Sequence, residues 1–226
     1  MRKKAPNLDN LPNLKCLSHV MKVNELIERY GAGNRVFLRI DLQRVNLSEI
    51  SLVGINLSQG NLRGSNFAGS SLGGAILNEA ILARSILWRA NLSKSFMVFA
   101  YLSHACLIRT NLSHVDLHQA DLSSADARLA DFRNADLSGA DMRGINLSYA
   151  DLQGANLAGA NLSRANLTGA NLTNTDLYKV NLSQAILDRV NWTNADLSYA
   201  NFGSTNLYGL EKESNFDDLR LAGTLS

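Results

Sequence analysis

The chain has 226 residues and a mass of 24.6 kDa, with 46% hydrophobic residues, 7% aromatics and a formal net charge of +2. No run of 18 apolar residues occurs, which excludes a membrane-spanning helix, and the basic start MRKKAPNLDN runs into polar residues instead of an apolar signal core. Cys16 and Cys106, far apart, make neither a disulfide framework nor a zinc site, so a reducing, cytoplasmic setting is expected.

In chain order, the first predicted element is a helix over residues 20–30, VMKVNELIERY, with Val23, Leu26, Ile27 and Tyr30 on an apolar stripe and Gly31 as its stop. Glu25 and Glu28 argue against a membrane-surface helix. The expected role is a lid over whatever follows.

From Phe37 to Leu207 every fifth residue is large and apolar, except Ala127. Two residues before each sits a small or β-branched side chain. Immediately before it stands Asn, Asp or Ser at 27 of the 34 positions from Asp41 to Asn206. A period of five suits neither standard element: on a helix the leucines would drift over every face, and on a strand they would alternate sides. They can share one interior only if the chain turns a corner every five residues, for which Asn, Asp and Gly supply the chemistry. The expectation is a solenoid in which each rung buries its neighbour's core. Ala127 should leave room beside Leu107 and Leu147 that Phe132 leans over to fill.

The runs ADLSS, ADLSG, ADLQG, ANLAG, ANLSR and ANLTG resemble the A-[DN]-L-x-x motif of pentapeptide-repeat proteins. That resemblance implies an all-β fold, a right-handed quadrilateral β-helix with four repeats per coil. It also implies about 8.75 coils and, with rungs about 4.8 Å apart, a rod about 42 Å long. The helix, followed by YGAG, is similar to the opening of cyanobacterial members of the HetL type. The organisation expected is a tail and capping helix over 1–34, the β-helix over 35–209 and a C-terminal cap over 210–226. In that last segment Lys212 breaks the register, and Phe216, Leu219 and Leu221 are available to cover the end rung.

A smooth rod offers few clefts for catalysis. His114 and His118 have metal spacing on a helix but not across a corner. The aspartates at 116, 121, 126, 131, 136 and 141 read as corner residues, not as a carboxylate cluster. The chain reads as a non-enzyme without cofactor or metal.

Binding should appear where the repeat breaks its own rule. Of the seven apolar residues standing where Asn, Asp or Ser is expected, six are clumped: Ile76, Ile81, Ile86, Phe96, Tyr101 and Cys106; Ile186 stands apart. Outward positions in the same span carry Trp88, Val98, Phe99 and Ile108. With twenty residues per coil these stack into an apolar band around two rungs. Arg84, Arg89, Lys94, His104, Arg109 and His114 end their repeats beside it. Arg89 over Arg109 is an unfavourable stack unless a partner's anions lie near. Aromatic residues with arginine make the composition of binding hot spots. The candidate protein-binding residues are therefore Ile76, Ile81, Ile86, Trp88, Arg89, Phe96, Phe99, Tyr101, Ile108 and Arg109.

Charge is polarised along the chain, with a net of +8 over residues 1–115 and −6 over 116–226. One branch of the resembled family mimics DNA and modulates DNA gyrase, as quinolone-resistance proteins do. Such mimicry needs acidity along the whole rod, and here only one half is acidic. Direct nucleic-acid binding is disfavoured too, since no groove-entering element is present. The expected function is a non-enzymatic cytoplasmic scaffold or adaptor that binds another protein; the resemblance to HetL-type members implies a regulator of a transcription factor or of cell differentiation. The alternatives are the gyrase-directed DNA mimic and a purely structural, self-associating rod or homodimer.

Overall fold

A chain that turns every five residues must find acceptors for five backbone N–H groups per repeat without a helical ladder. A computed structural model, which describes residues 19–206, shows how. In the repeat Ala120–Ser124, the Ala120 N–H closes a turn onto Leu117 O at 3.0 Å. Asp121 N–H donates to Ala100 O in the coil before at 2.9 Å, and Leu122 and Ser124 donate to Asp141 O and Arg143 O in the coil after, at 2.8 and 2.9 Å. The fifth donor, Ser123 N–H, meets no carbonyl and is accepted by the Asp121 side chain at 2.9 Å. Every Asn and Asp in this place from Asp41 to Asn201 accepts the N–H two residues on. The recurring Asn or Asp is the acceptor for the one donor that the coil leaves over.

Parallel bridges join each residue before a large one to its counterpart twenty positions on, without interruption from Val36–Asn56 to Asn181–Asn201. Twenty residues per coil and five per side make a right-handed quadrilateral β-helix. Its first face is centred on Leu57, Leu77, Met97 and Leu117; its second on Leu62, Leu82, Leu102 and Leu122. Phe67, Leu87, Leu107 and Ala127 centre the third, and Leu72, Leu92, Leu112 and Phe132 the fourth. Every large residue from Phe37 to Phe202 is buried, as is every small inward one from Ile55 to Ala200. Ala127 and Phe132, neighbours on adjacent faces, both have no exposed surface.

The last residue of each repeat carries a further rule. All 34 such positions from Arg39 to Ser204 have φ between 54° and 68°, and only nine of them are glycine. A 4→1 hydrogen bond with positive φ at the third turn residue alone defines a type II turn. A β-branched side chain clashes in that region, and none of the 34 is Val, Ile or Thr.

At the N-terminal end β1 (His19–Val20) pairs in parallel with β2 (Ile40–Asp41), which adds a strand before the first coil. Between them α1 (Val23–Gly31) buries Leu26 and packs Val23 and Tyr30 on the core, while Tyr30 Oη–H donates to Val53 O at 2.9 Å. Ile27, expected on the buried stripe, is exposed. The helix stop is not Gly31, which remains helical, but Gly33. Its φ of 98° lets Gly33 N–H reach Tyr30 O and Asn34 N–H reach Arg29 O, both at 3.0 Å, a Schellman ending. Lys212, Phe216, Leu219 and Leu221 lie outside the described residues. Among the described residues no helix is long and apolar enough to cross a membrane.

Candidate protein-binding surface

The residues of the band occupy two adjacent coils and three faces. On the first face Ile76 stacks with Phe96 and is half-buried, while Phe96 and Phe99 are 50% and 46% exposed. The Phe99 ring meets His118 edge to face, with centroids 6.3 Å apart. On the third face Ile86 and Trp88 are 43% and 39% exposed, Arg89 and Arg109 are exposed, and Ile108 is half-buried. The second face departs from expectation: Ile81 keeps only 7% of its surface and Tyr101 is half-buried. The large Tyr101 side chain one rung along, with buried Ala83 and Ser103 beside it, accounts for the cover over Ile81. Burial, reinforced by the charges of Glu79 and Asp121, raises the Tyr101 phenol above its ordinary range. The open part of the band is therefore the first and third faces.

The band gives up local bonds that every Asn or Asp turn elsewhere in the rod keeps, a loss shared outside it only by the turns after Ser51, Ser71 and Ile186 among the described residues from Asp41 to Asn201. Ile76, Ile81 and Ile86 have no acceptor for the N–H two residues on, and Tyr101 and Cys106 do not accept it, so Asn78, Ala83, Trp88, Ser103 and Ile108 lose their side-chain acceptor. Only at Phe96 is the loss made good, where Val98 N–H donates to Asn78 Oδ1 at 3.0 Å. Inside the same coils the buried Ser85 hydroxyl has no hydrogen-bond partner among the described residues, although Ser70, Ser95 and Thr110 each donate to a carbonyl. Each such bond contributes about 0.5–1.5 kcal/mol. The departures lower local stability, the usual mark of a site shaped by something other than folding.

Charge divides the rod in the same place. Beyond the band, Arg128, Arg133 and Arg143 lie on Asp126, Asp131 and Asp141 at 2.8, 2.7 and 2.6 Å. Burial pushes the Asp131 carboxyl up, but hydrogen bonds from the Arg133 side chain and backbone, with the charges of Arg133 and His114, outweigh it and hold the group below the ordinary carboxylate range. Within the band, Arg84, Arg89, Lys94 and Arg109 have no ion-pair partner among the described residues. The Arg89 guanidinium rests on the Trp88 ring, 4.5 Å from its centroid, which moderates the stack of Arg89 on Arg109.

Elsewhere chemistry is sparse. An open polar groove of about 570 Å³ on the second face is lined by Ser123, Arg143, Ser163 and Arg164 among others. Its cations are already engaged, Arg143 by Asp141 and Arg164 by Gln184 at 2.9 Å. Among the described residues no group of His, Cys, Asp and Glu is placed to hold a metal ion.

A short-sided coil with an interrupted polar rule defines a solenoid of the pentapeptide class. The profile of the family described as "Pentapeptide repeats (8 copies)" matches residues 40–78, 61–97, 110–148, 145–184 and 175–209, and the chain belongs to that family. The stretch between the second and third matches, 98–109, falls within the band. Among solved structures, the chain is 30% identical to HetL, a pentapeptide-repeat protein involved in heterocyst differentiation regulation in the cyanobacterium Nostoc sp. strain PCC 7120; the likeness covers 82% of this chain and 99% of that one, with a TM-score of 0.35. It is 28% identical to a pentapeptide-repeat protein of the Arabidopsis thaliana thylakoid lumen over 42% of this chain and 67% of that one, TM-score 0.41. It is 14% identical to QnrB1, a plasmid-mediated fluoroquinolone resistance protein, over 83% of this chain and 97% of that one, TM-score 0.43. No curated protein matches the chain.

Proposed function

We propose that the chain is a non-enzymatic, protein-binding rod, a cytoplasmic adaptor or regulator that meets its partner through the band spanning residues 76–114. One observation carries this reading: six of the seven apolar departures from the polar rule fall on two adjacent coils, and Ile86, Trp88, Phe96 and Phe99 stand exposed there. Exposed apolar groups gathered in one place on a soluble chain mark interaction sites, and aromatic residues with arginine are the side chains that dominate binding energy. A regulatory role of the kind named for HetL is work that such a rod performs by contact alone. The corner carboxylates of Asp121, Asp131, Asp136 and Asp141 are taken up by their own turns, as expected of structural residues.

The test is Phe96→Asp combined with Phe99→Asp. Both side chains are exposed, and Asp tolerates the positive φ of 57° at position 99. Affinity capture from native lysate is expected to lose its partner while thermal unfolding stays cooperative. Retention of the same partner by the double variant would overturn the reading. A concentration-dependent dimer that the double variant abolishes would instead assign the band to self-association.

A further inference from the structure

The third face of the band differs from the other two in what surrounds its apolar centre. Ile86 and Trp88 lie between Arg84 at one corner and Arg89 at the next, and Ile108 and Arg109 repeat the arrangement one coil along. An apolar centre within a charged rim is the anatomy of a protein contact.

The next coil on the same face shows what the rim lacks. There Asp126 accepts the backbone N–H of Arg128 at 3.4 Å and holds its guanidinium through two bonds of 2.8 Å. One carboxylate completes the turn and neutralises the arginine. In the band Ile86 and Cys106 occupy that place, so neither service is performed. The N–H groups of Trp88 and Ile108 have no acceptor among the described residues. They occupy the position whose N–H elsewhere meets the outward Asn or Asp side chain, so they point away from the core. Arg84, Arg89 and Arg109 have no carboxylate in ion-pair reach among the described residues. Two nearby acids do not complete the rim. Glu49, in the corner column of Arg89, folds over Gly69, the residue between them, yet forms no ion pair with Arg89 among the described residues, and Glu79 takes a hydrogen bond from Gln59 at 3.3 Å. Cations and outward backbone donors are therefore left over on two adjacent coils of one face, and both call for the same ligand group.

We infer that the third face docks an acidic protein segment. An apolar side chain of that segment seats on Ile86 and Trp88, and its carboxylates pair with Arg89 and Arg109 while accepting the N–H of Trp88 and Ile108. The segment supplies from outside what Asp126 supplies from within. A second copy of this chain is a poorer occupant, because the acid its third face offers nearest the band, Asp126, is already held by Arg128. The inference rests on the band being a protein-contact surface and narrows it to one face and one chemistry.

Trp88 makes the test direct, since it is exposed while Trp192 is 3% exposed. The probe is a short acetylated, amidated peptide of Asp and Glu around a central Leu-Phe pair, titrated against the full chain while Trp88 fluorescence is followed. The controls are the same peptide with Lys for every acid, and oligothymidylate. The acidic peptide is expected to shift Trp88 emission with a Kd below about 1 mM at low salt, and to weaken by about tenfold or more between roughly 0.05 and 0.5 M NaCl. Arg89→Glu with Arg109→Glu should weaken it by at least about tenfold, with an unchanged melting curve as the check on folding. Arg89→Gln with Arg109→Gln should give an intermediate loss. The inference is overturned if the acidic peptide leaves Trp88 unperturbed, if the charge reversals leave its affinity unchanged, or if the lysine peptide or the oligonucleotide binds as tightly. In each of those cases the broader reading of the band still stands or falls separately, on capture by the Phe96→Asp, Phe99→Asp variant.

Discussion

The rule of positive φ at every fifth residue can be tested at Leu129, which has φ 59° and an exposed side chain with no hydrogen-bonding group. A non-glycine residue in the left-handed region costs roughly 1–2 kcal/mol. A β-branched one adds a clash that places it among real outliers, so Leu129→Val should destabilise by about 1–3 kcal/mol. Leu129→Gly relieves about 1 kcal/mol of backbone strain and returns nearly the same amount to the unfolded chain, so its net effect should lie within about 0.5 kcal/mol. The control is Gln153→Val one position earlier in the turn, where Val53, Val98, Ile108, Thr168, Thr173 and Thr193 already occur; it too should be nearly neutral. For a chain of this size each kcal/mol moves Tm by about 2–4 °C, so urea and thermal denaturation resolve the three variants. If Leu129→Val is as stable as Leu129→Gly, the corner conformation does not set the sequence rule, and the type II assignment is wrong.

Ser85→Ala removes a buried hydroxyl without a partner and places the commonest inward residue there; it should stabilise by about 1 kcal/mol, and a loss of stability in urea would show that the hydroxyl is bonded after all. Asp131→Asn keeps the acceptor for the turn but removes the charge that Arg133 favours. Because the folded carboxyl is held low, its contribution is present above the unfolded value of about 3.9 and fades as pH falls below it. The variant should therefore be weaker than wild type at neutral pH, by a difference that shrinks as pH falls below the unfolded value; a difference that grows toward acid would reverse the assignment. Ala127→Leu should leave Tm unchanged or raised, with Phe132 giving way to the added side chain, and a fall of many degrees would refute that packing.

The inward and outward division was legible because a five-residue period with leucine at one phase admits only a coil that turns corners, whereas four sides per coil came from resemblance to a known family. The corner dihedral left its own trace in the absence of Val, Ile and Thr at 34 positions. That is a signal of exclusion, harder to notice than leucines that are present. Ile81 could not be placed from its register alone. Its position faces outward as Ile86 does, and only the neighbouring Tyr101, Ala83 and Ser103 decide that it is covered. The helix stop moved from Gly31 to Gly33 because both glycines can end a helix, and the hydrogen bonds from Gly33 and Asn34 back into the last turn choose between them. Apolar exposure also extends along the third face to Leu129, Tyr149 and Ile186. Of these, only Ile186 breaks the polar rule; Leu129 and Tyr149 stand at corners, where any unbranched side chain is allowed.

Hydroxyl-radical footprinting of the chain alone and in complex with its captured partner tests the contact surface most directly, because large oxidisable side chains stand both inside and outside the band. Protection of Trp88, Phe96 and Phe99, with Tyr149 and Tyr199 oxidised at unchanged rates, is the expected result. Protection confined to Tyr149 and Tyr199, or spread evenly over the rod, would contradict it.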